Sequence, residues 1–586
     1  MCGIIGYKGK RNANEIIING LKKMEYRGYD SFGIASKNKN LEVFKKVGKI
    51  EDFSLKELKL KESHIALGHT RWATTGKVTK ENAHPHLSMD GKIAVVHNGI
   101  VENYQELKKF LIKQGIKFKS QTDTEIIPQY IYLFMKKGLS FEEATIKTLN
   151  NLKGFFAVVV IHKDYDTVIG ARRGSPLVLG IGKDEFFLAS DIPAFLEYTK
   201  DVIYLDDDEI VFINSTYKIL NLKTKKQKQK KINRIKWSLE QAQKENYPHY
   251  MLKEIVEQKF TVKKAIEQDP KLISKVIQMI KEAYGVFLIG CGTSYNACVS
   301  SSYTFAHIAK KHVNVVLASE FMNYENFLTD KTLVIAVSQS GETADLLDAV
   351  KVAQQYNCKI ISICNVMGST LTRLADENIM MNSGPEISVL STKTYTAQLA
   401  ILLLLAYGVA NRIKKAKTLV HKASGSIKNI IDDNLLRLKR LAHKLKDNKN
   451  LFLIGRDLAY PSALEGALKI KEVSYVHAEG FAGGELKHGT IALIEKNVPV
   501  IIFVTKWTKQ LILSNAMEVK SRGAFVIGIN EQEIELYDYF INIPELGNAN
   551  PIVMIIPIQI LAYYLALELK LDPDKPRNLA KSVTVK

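Results

Sequence analysis

At 586 residues the chain is too long for one hydrophobic core, and its length predicts about three or four folded units. Its 46% hydrophobic and 24% charged content is that of ordinary soluble proteins and excludes a disordered or fibrous chain. The net charge of +21 raises nucleic acid or an anionic membrane as partners. Lysine is spread along the whole chain, however, and no helix-turn-helix or aromatic RNA-binding pattern accompanies it, so neither partner is expected.

The chain opens Met1-Cys2-Gly3 and runs directly into a strand-like Ile4-Ile5, with no basic segment leading into an apolar one, so no secretory signal is expected. Across residues 1–222, short β-branched runs such as Ile93-Ala-Val-Val96, Phe155-Phe-Ala-Val-Val-Val-Ile161 and Ile210-Val-Phe-Ile213 are separated by Gly, Asn and Asp turns. Few helical patterns intervene, which predicts an antiparallel, sheet-rich α/β/β/α domain. The lysine-rich run 223–231 opens an expected solvated linker, 223–244. From residue 245, amphipathic helices alternate with single apolar strands, the pattern of doubly wound parallel α/β units.

This second half repeats itself. Phe287-Leu-Ile-Gly-Cys-Gly-Thr-Ser-Tyr295 returns 165 residues later as Phe452-Leu-Ile-Gly-Arg-Asp-Leu-Ala-Tyr460, and two later strand ends recur at nearly the same offset. Two copies are therefore expected, 245–428 and 429–571, followed by a tail, 572–586. The apolar stretch 553–569 contains Pro557 and Gln559 and falls short of the roughly 18 to 20 unbroken apolar residues of a membrane span, so it reads as a buried helix. Five cysteines without a Cys-x-x-Cys pair argue against zinc ligation and a disulfide framework, and fit a reducing cytoplasm.

Removal of Met1 would place the Cys2 thiol beside its own α-amine. With an unperturbed pKa of about 7.7 to 8.0, that amine can take the thiol proton without a histidine. Met1-Cys-Gly-Ile-Ile-Gly6, Tyr26-Arg-Gly-Tyr-Asp-Ser31, Gly68-His-Thr-Arg-Trp-Ala-Thr74, His97-Asn-Gly-Ile-Val-Glu-Asn-Tyr104 and Ser120-Gln-Thr-Asp-Thr-Glu125 follow in one order. Singly they read as common features: Asn98-Gly99 as a turn dipeptide, Asp123 as a helix N-cap, Arg71 as a surface ion-pair partner. Together they resemble the N-terminal-nucleophile glutaminase domain of class II amidotransferases. That resemblance implies Cys2 as nucleophile, Asn98 and Gly99 as oxyanion hole, and Arg71 and Asp123 as holders of the glutamine carboxylate and ammonium. It also puts Arg27 at the glutamine site and makes Trp72 a gate against ammonia escape. His84-Pro-His86 has no third ligand in view and reads as structural.

In the second half, Gly290-Cys-Gly-Thr-Ser294 and Ser338-Gln-Ser-Gly-Glu-Thr343 each follow an apolar strand and precede a helix. Two such hydroxyl-rich strand ends suit a phosphate monoester, and neither is a Walker loop or a dinucleotide fingerprint. With Glu386-Ile-Ser-Val-Leu-Ser-Thr-Lys393 they resemble the sugar isomerase domain. Ala463-Leu-Glu-Gly-Ala-Leu-Lys-Ile-Lys-Glu472, Gly484-Glu-Leu-Lys-His-Gly489 and the tail Pro576-Arg-Asn-Leu-Ala-Lys-Ser-Val-Thr-Val585 resemble the isomerase half of the glucosamine-6-phosphate synthase family, so the likeness spans essentially the whole chain.

The resemblance implies that Thr293, Ser294, Ser338, Gln339, Ser340 and Thr343 bind the sugar phosphate, with Val389, Ser391 and Ala580 close by. Glu472 would be the base that moves a proton between C1 and C2, and Lys469 would assist. His488, donated across a homodimer, would open the sugar ring, and Lys581 would form a Schiff base with the ketose. Without the resemblance, Lys469 and Glu472 are only an i, i+3 helix pair and Lys581 lies in a tail. The implied activity frees ammonia from L-glutamine, channels it to fructose 6-phosphate and isomerises the product to glucosamine 6-phosphate, the first step of amino-sugar synthesis. It requires no metal, pyridoxal phosphate or nucleotide. Thr75, Lys259 and Thr490 depart from the usual family residues His, Pro and Pro. Other amidotransferases need a pyrophosphate-binding or ATP-pyrophosphatase domain that this sequence lacks, and a mere sugar-phosphate sensor would not need intact candidates in both halves.

Overall fold

In the computed structural model, which describes residues 2–51, 53–73, 75–235 and 244–584, the strand Gly3–Lys8 alternates its side chains between two layers. Ile4 joins an apolar layer with Val96, Ala157, Val159 and Ile161, while Ile5 and Tyr7 pack on the other face with Ile16, Ile17 and Leu21 of helix Ala13–Lys23. The same alternation runs along Phe156–His162, whose Phe156, Val158 and Val160 face helices Tyr104–Lys113, Ile126–Lys136 and Phe141–Asn151. A period of two on both strands, with an apolar residue on either face, is what a doubly covered sheet demands.

The result is the expected α/β/β/α sandwich. One sheet has eight strands, in which Gly3–Lys8 lies antiparallel between Ile65–Arg71 and Glu185–Ala189. The other has six, in which Phe156–His162 lies between Ile93–Gly99 and Val168–Arg173. Residues 1–240 and 580–586 form this compact unit, and 241–579 form a second.

The lysine run differs from its reading as linker. Asn233–Arg234 adds a short strand against Asp201–Tyr204 of the eight-stranded sheet, and the Lys230 ammonium is bound between Asp206 and Glu209. Local acidic partners fold the first part of this run onto the sandwich; residues 236–243 of the expected linker lie outside the described residues.

The second unit contains two five-stranded parallel sheets with one topology. In the first the order is Asn314–Leu317, Gly285–Gly290, Thr332–Ser338, Lys359–Cys364, Glu377–Met380. In the second it is His477–Ala482, Asn450–Gly455, Pro499–Phe503, Phe525–Asn530, Tyr539–Asn542. This is the 2-1-3-4-5 order of doubly wound sheets, whose ligands lie beyond the carboxyl ends of the strands. The repeat read from the sequence is thus a repeat of topology.

The 33-residue helix Ile413–Leu445 leads from one sheet to the other, and one apolar core runs through both halves. Asn550–Glu568, carrying Pro557, lies in that core. It is apolar and long enough to cross a membrane, but 89% of its most apolar stretch is buried inside this unit.

Candidate active sites

In the first unit the pocket forms where strand ends of the two sheets meet. Cys2 precedes Gly3–Lys8, which pairs with Ile65–Arg71 so that Gly3 stands opposite Thr70. The Cys2 thiol accepts a hydrogen bond from the Trp72 N–H at 3.2 Å, and its S–H faces the Trp72 carbonyl at 3.5 Å. Asn98 and Gly99 end a strand of the facing sheet, and the Asn98 amide Nδ2 donates to the Cys2 carbonyl at 2.8 Å. Arg71, Trp72, Thr75, Asp123 and the tail residues Ser582, Val583 and Thr584 complete the lining.

Burial pushes the Cys2 thiol above its ordinary pKa, more strongly than the nearby amine, the Trp72 backbone and Arg71 pull it down. A preformed thiolate is therefore disfavoured, and the nucleophile needs a base at the moment of attack. Gly99 has φ +128°, and a Cβ there would stand 2.0 Å from the Phe155 carbonyl oxygen; only glycine fits. Asp123, read as substrate ligand or helix cap, directs Oδ2 to the Val101 N–H at 2.7 Å. The Arg71 guanidinium donates to the backbone carbonyls of Thr75, Gly76 and Lys77. It thus holds the 75–77 loop through main-chain atoms, which makes the Thr75 side chain immaterial to that contact.

Arg27 departs from its expected place. It is absent from the pocket lining, and its guanidinium binds Asp191 at 2.6 and 3.1 Å, with the Tyr26 hydroxyl on the same carboxylate oxygen at 2.5 Å. Pairing with a carboxylate 164 residues away locks the 26–31 turn. In that turn Asp30 accepts the Ala73 N–H at 2.8 Å, which makes Arg27 and Asp30 supports of the Arg71-Trp72-Ala73 segment.

In the second unit, the Ser/Thr loops sit at the carboxyl ends of adjacent strands. Thr293 and Ser294 begin helix Thr293–Thr304 after Gly292, whose φ is +52°. Ser338 ends its strand and accepts the Gly341 N–H at 3.0 Å, and Ser340 accepts the Glu342 N–H at 3.2 Å. Gln339 accepts the Asn365 N–H through its carbonyl, and Thr343 is the N-cap of helix Ala344–Gln355. Val389 donates its N–H to the Asp574 carbonyl, next to the partly exposed Ser391.

Helix Ala459–Ser474 brings the second copy to the first. Lys469 Nζ lies 2.6 Å from Glu472, 3.3 Å from Glu465 and 2.9 Å from the Thr293 hydroxyl. Glu465 also accepts from Thr293 and Asn296 at 3.0 and 2.8 Å. Burial pulls the Lys469 amine down, but the two carboxylates override it and hold the amine above its ordinary pKa, as an ammonium. Glu472 keeps 21% of its side chain exposed. His488 lies exposed on the turn Glu485–His488. Ala580 and Lys581 group with the first unit rather than with these loops.

Glu465, Asn296 and Gln398, which donates to Ser294 at 3.0 Å, were not singled out from the sequence. Glu465 had a signal, standing four and seven residues before Lys469 and Glu472 on one helical face. So did Gln398, a fully buried amide inside the apolar helix Lys393–Val409.

Fold and sites together define a glutaminase of the N-terminal-nucleophile type joined to a pair of sugar isomerase domains. Residues 56–250 match the glutamine amidotransferase domain, and 279–407 and 444–569 match the SIS domain. The chain is 45% identical to the isomerizing glutamine–fructose-6-phosphate aminotransferase of Thermococcus kodakarensis and 42% identical to that of Methanosarcina mazei, over 100% of each protein. A solved C-terminal domain of glucosamine-fructose-6-phosphate aminotransferase from Francisella tularensis is 33% identical, covers 57% of this chain and 100% of its own, and aligns with a TM-score of 0.53. The chain belongs to the family of isomerizing glutamine–fructose-6-phosphate aminotransferases.

Proposed function

We propose that this chain converts L-glutamine and fructose 6-phosphate into L-glutamate and D-glucosamine 6-phosphate, as a cytoplasmic homodimer. The observation that carries the reading is the buried Lys469 ammonium held between Glu465, Glu472 and Thr293, in a chain whose other unit sets Cys2 beside the Asn98 amide. Packing alone does not explain the cluster, since the fully buried Lys469 and Glu465 carry a desolvation cost that their pairing only partly offsets.

In the first half-reaction the Cys2 α-amine takes the thiol proton as sulfur attacks the glutamine amide carbon. Asn98 Nδ2 and the Gly99 N–H stabilise the oxyanion, ammonia leaves, and water releases glutamate from the thioester. Arg71 binds the substrate carboxylate by exchanging its carbonyl partners for a charged one, Asp123 binds the ammonium, and Trp72 covers the sulfur.

In the second half-reaction the hydroxyls of Thr293, Ser294, Ser338, Ser340 and Thr343, with Gln339, hold the phosphate, and Val389, Ser391 and Ala580 border the sugar. Lys581 forms the imine with the ketose at C2 as water leaves, and ammonia then displaces the lysine from that carbon, releasing its amine. Glu472 moves the C1 proton to C2, an internal redox exchange that needs no external oxidant, with the Lys469 ammonium polarising the neighbouring oxygen. The exposure of His488 suits a residue that serves the site of a second copy. Five unpaired cysteines suit a reducing compartment. The test is mass analysis of the product from glutamine and fructose 6-phosphate: a hexosamine phosphate with equimolar glutamate is expected, and glutamate alone would overturn the reading.

A further inference from the structure

We propose that His69 is a positioning residue for glutamine hydrolysis: its Nε2–H grips the Asn98 side-chain oxygen and so turns the Asn98 amide nitrogen toward the oxyanion at Cys2. The inference rests on the reading of Asn98 as an oxyanion donor, and it assigns a role to a buried histidine that the mechanism above leaves unused.

The hydrogen bonds fix every atom. The Cys2 carbonyl can only accept, so the Asn98 atom 2.8 Å from it is the NH2 group. That leaves Asn98 Oδ1 facing His69 Nε2 at 3.1 Å, and the same nitrogen stands 3.1 Å from the His97 carbonyl oxygen. A nitrogen shared by two acceptors must carry the proton, so the ring is the Nε2–H tautomer. The opposite nitrogen, Nδ1, is buried and has no hydrogen-bond partner among the described residues.

The ring is held in that state. It stacks on His84 at 4.1 Å between centroids and 19° between planes, and His84 Nδ1 in turn accepts the His97 N–H at 3.3 Å. Burial drives the His69 pKa down to about 3, with Arg71 adding to the depression and the hydrogen bonds to Asn98 and the His97 carbonyl opposing it. The imidazole is thus neutral wherever the enzyme works. An asparagine amide can rotate by half a turn with little change of shape; here a wrong rotation would set two donors against each other at His69 and two acceptors against each other at the Cys2 carbonyl. His69 makes the productive orientation the only satisfied one, which is preorganisation of the oxyanion hole.

Two substitutions separate this role from packing. His69→Phe keeps an aromatic ring on His84 but removes the donor; His69→Gln loses the ring and restores an N–H near the position of Nε2. For glutamine hydrolysis, His69→Phe should lower kcat roughly 10- to 100-fold with KM within about twofold, and His69→Gln should recover most of the rate. Asn98→Ala is measured alongside. Wild-type turnover in Asn98→Ala would remove the oxyanion reading itself, whereas a crippled Asn98→Ala with an unimpaired His69→Phe overturns only the role of His69. Should His69→Phe fail to fold, nitrogen-15 NMR of the histidine-labelled wild-type protein decides: a protonated Nε2 with a bare Nδ1 supports the proposal, and a protonated Nδ1 or an imidazolium near neutral pH refutes it.

Discussion

The Lys469 ammonium lies 3.3 Å from the Glu465 carboxylate, and neither side chain reaches solvent. Two charges buried together are tolerable only while both are present, because removing one leaves the other desolvated without a partner. Lys469→Met should therefore destabilise the second unit by about 3 to 5 kcal/mol, read as a shifted denaturant midpoint. The double variant Lys469→Met/Glu465→Gln should regain part of that loss. A single-variant effect near zero would show that the pair contributes nothing to the fold.

Gly99→Ala tests the glycine at the mouth of the first pocket. A Cβ 2.0 Å from the Phe155 carbonyl, on a backbone at φ +128°, forces the strand end to move, at a cost of about 1 to 3 kcal/mol for the strained backbone alone. Loss of glutamine hydrolysis larger than any loss of thermal stability is the expected outcome if the displaced N–H is an oxyanion donor, as proposed.

Cys2→Ala should abolish glutamine hydrolysis and leave sugar-phosphate binding and isomerisation intact, because the sulfur is needed only in the first unit. Glutamate release at the wild-type rate by this variant would dismiss Cys2 as the nucleophile.

Burial raises the Cys2 thiol, so the rising limb of the pH profile should belong to the α-amine rather than to the thiol. The limb is expected to have an apparent pKa near that of a free terminal amine, about 7.7 to 8.0, with the rate falling as pH drops through it and the amine becomes protonated. Intact mass should show a protein beginning at Cys2, since a peptide bond to Met1 would remove the base. An active preparation that retains Met1 throughout would sink self-activation.

Much of this was legible in the sequence because it is local. The alternation of Ile4 with Ile5, and the recurrence of Phe-Leu-Ile-Gly at 287 and 452, follow from strand period and gene-level repetition, and both folds follow from them. What was not legible depends on distant partners. The Arg27 guanidinium looked like a substrate ligand until Asp191, 164 residues on, claimed it. Glu465 gains its place from distant partners as well as Lys469, accepting from Thr293, 172 residues earlier, and from Asn296. Asn233–Arg234 is a strand only because Asp201–Tyr204 offers it an edge, and nothing in a lysine run announces that.

The last prediction concerns which lysine forms the imine. Lys469 is held as an ammonium by two carboxylates and has no lone pair to offer, and Lys393, 2% exposed, is tied to Glu257 at 2.6 Å. Lys581 is attached to a well-anchored root: the Asp574 carboxylate accepts the N–H groups of Tyr250 and Met251 at 2.9 and 2.7 Å, and its carbonyl accepts the Val389 N–H. Lys581 stands seven positions after Asp574, a reach of at most about 25 Å. To attack a ketose carbonyl the amine must first lose its proton. Lys581→Ala should then eliminate glucosamine 6-phosphate synthesis while glutamine hydrolysis persists. The point substitution is the cleaner variant, because truncation after Leu579 also strips Ser582, Val583 and Thr584 from the Cys2 pocket and should alter the KM for glutamine. Borohydride added with fructose 6-phosphate should trap the sugar on a tryptic peptide containing Lys581. Full synthesis by Lys581→Ala, or trapping on Lys393 or Lys469 instead, would assign the imine to another amine.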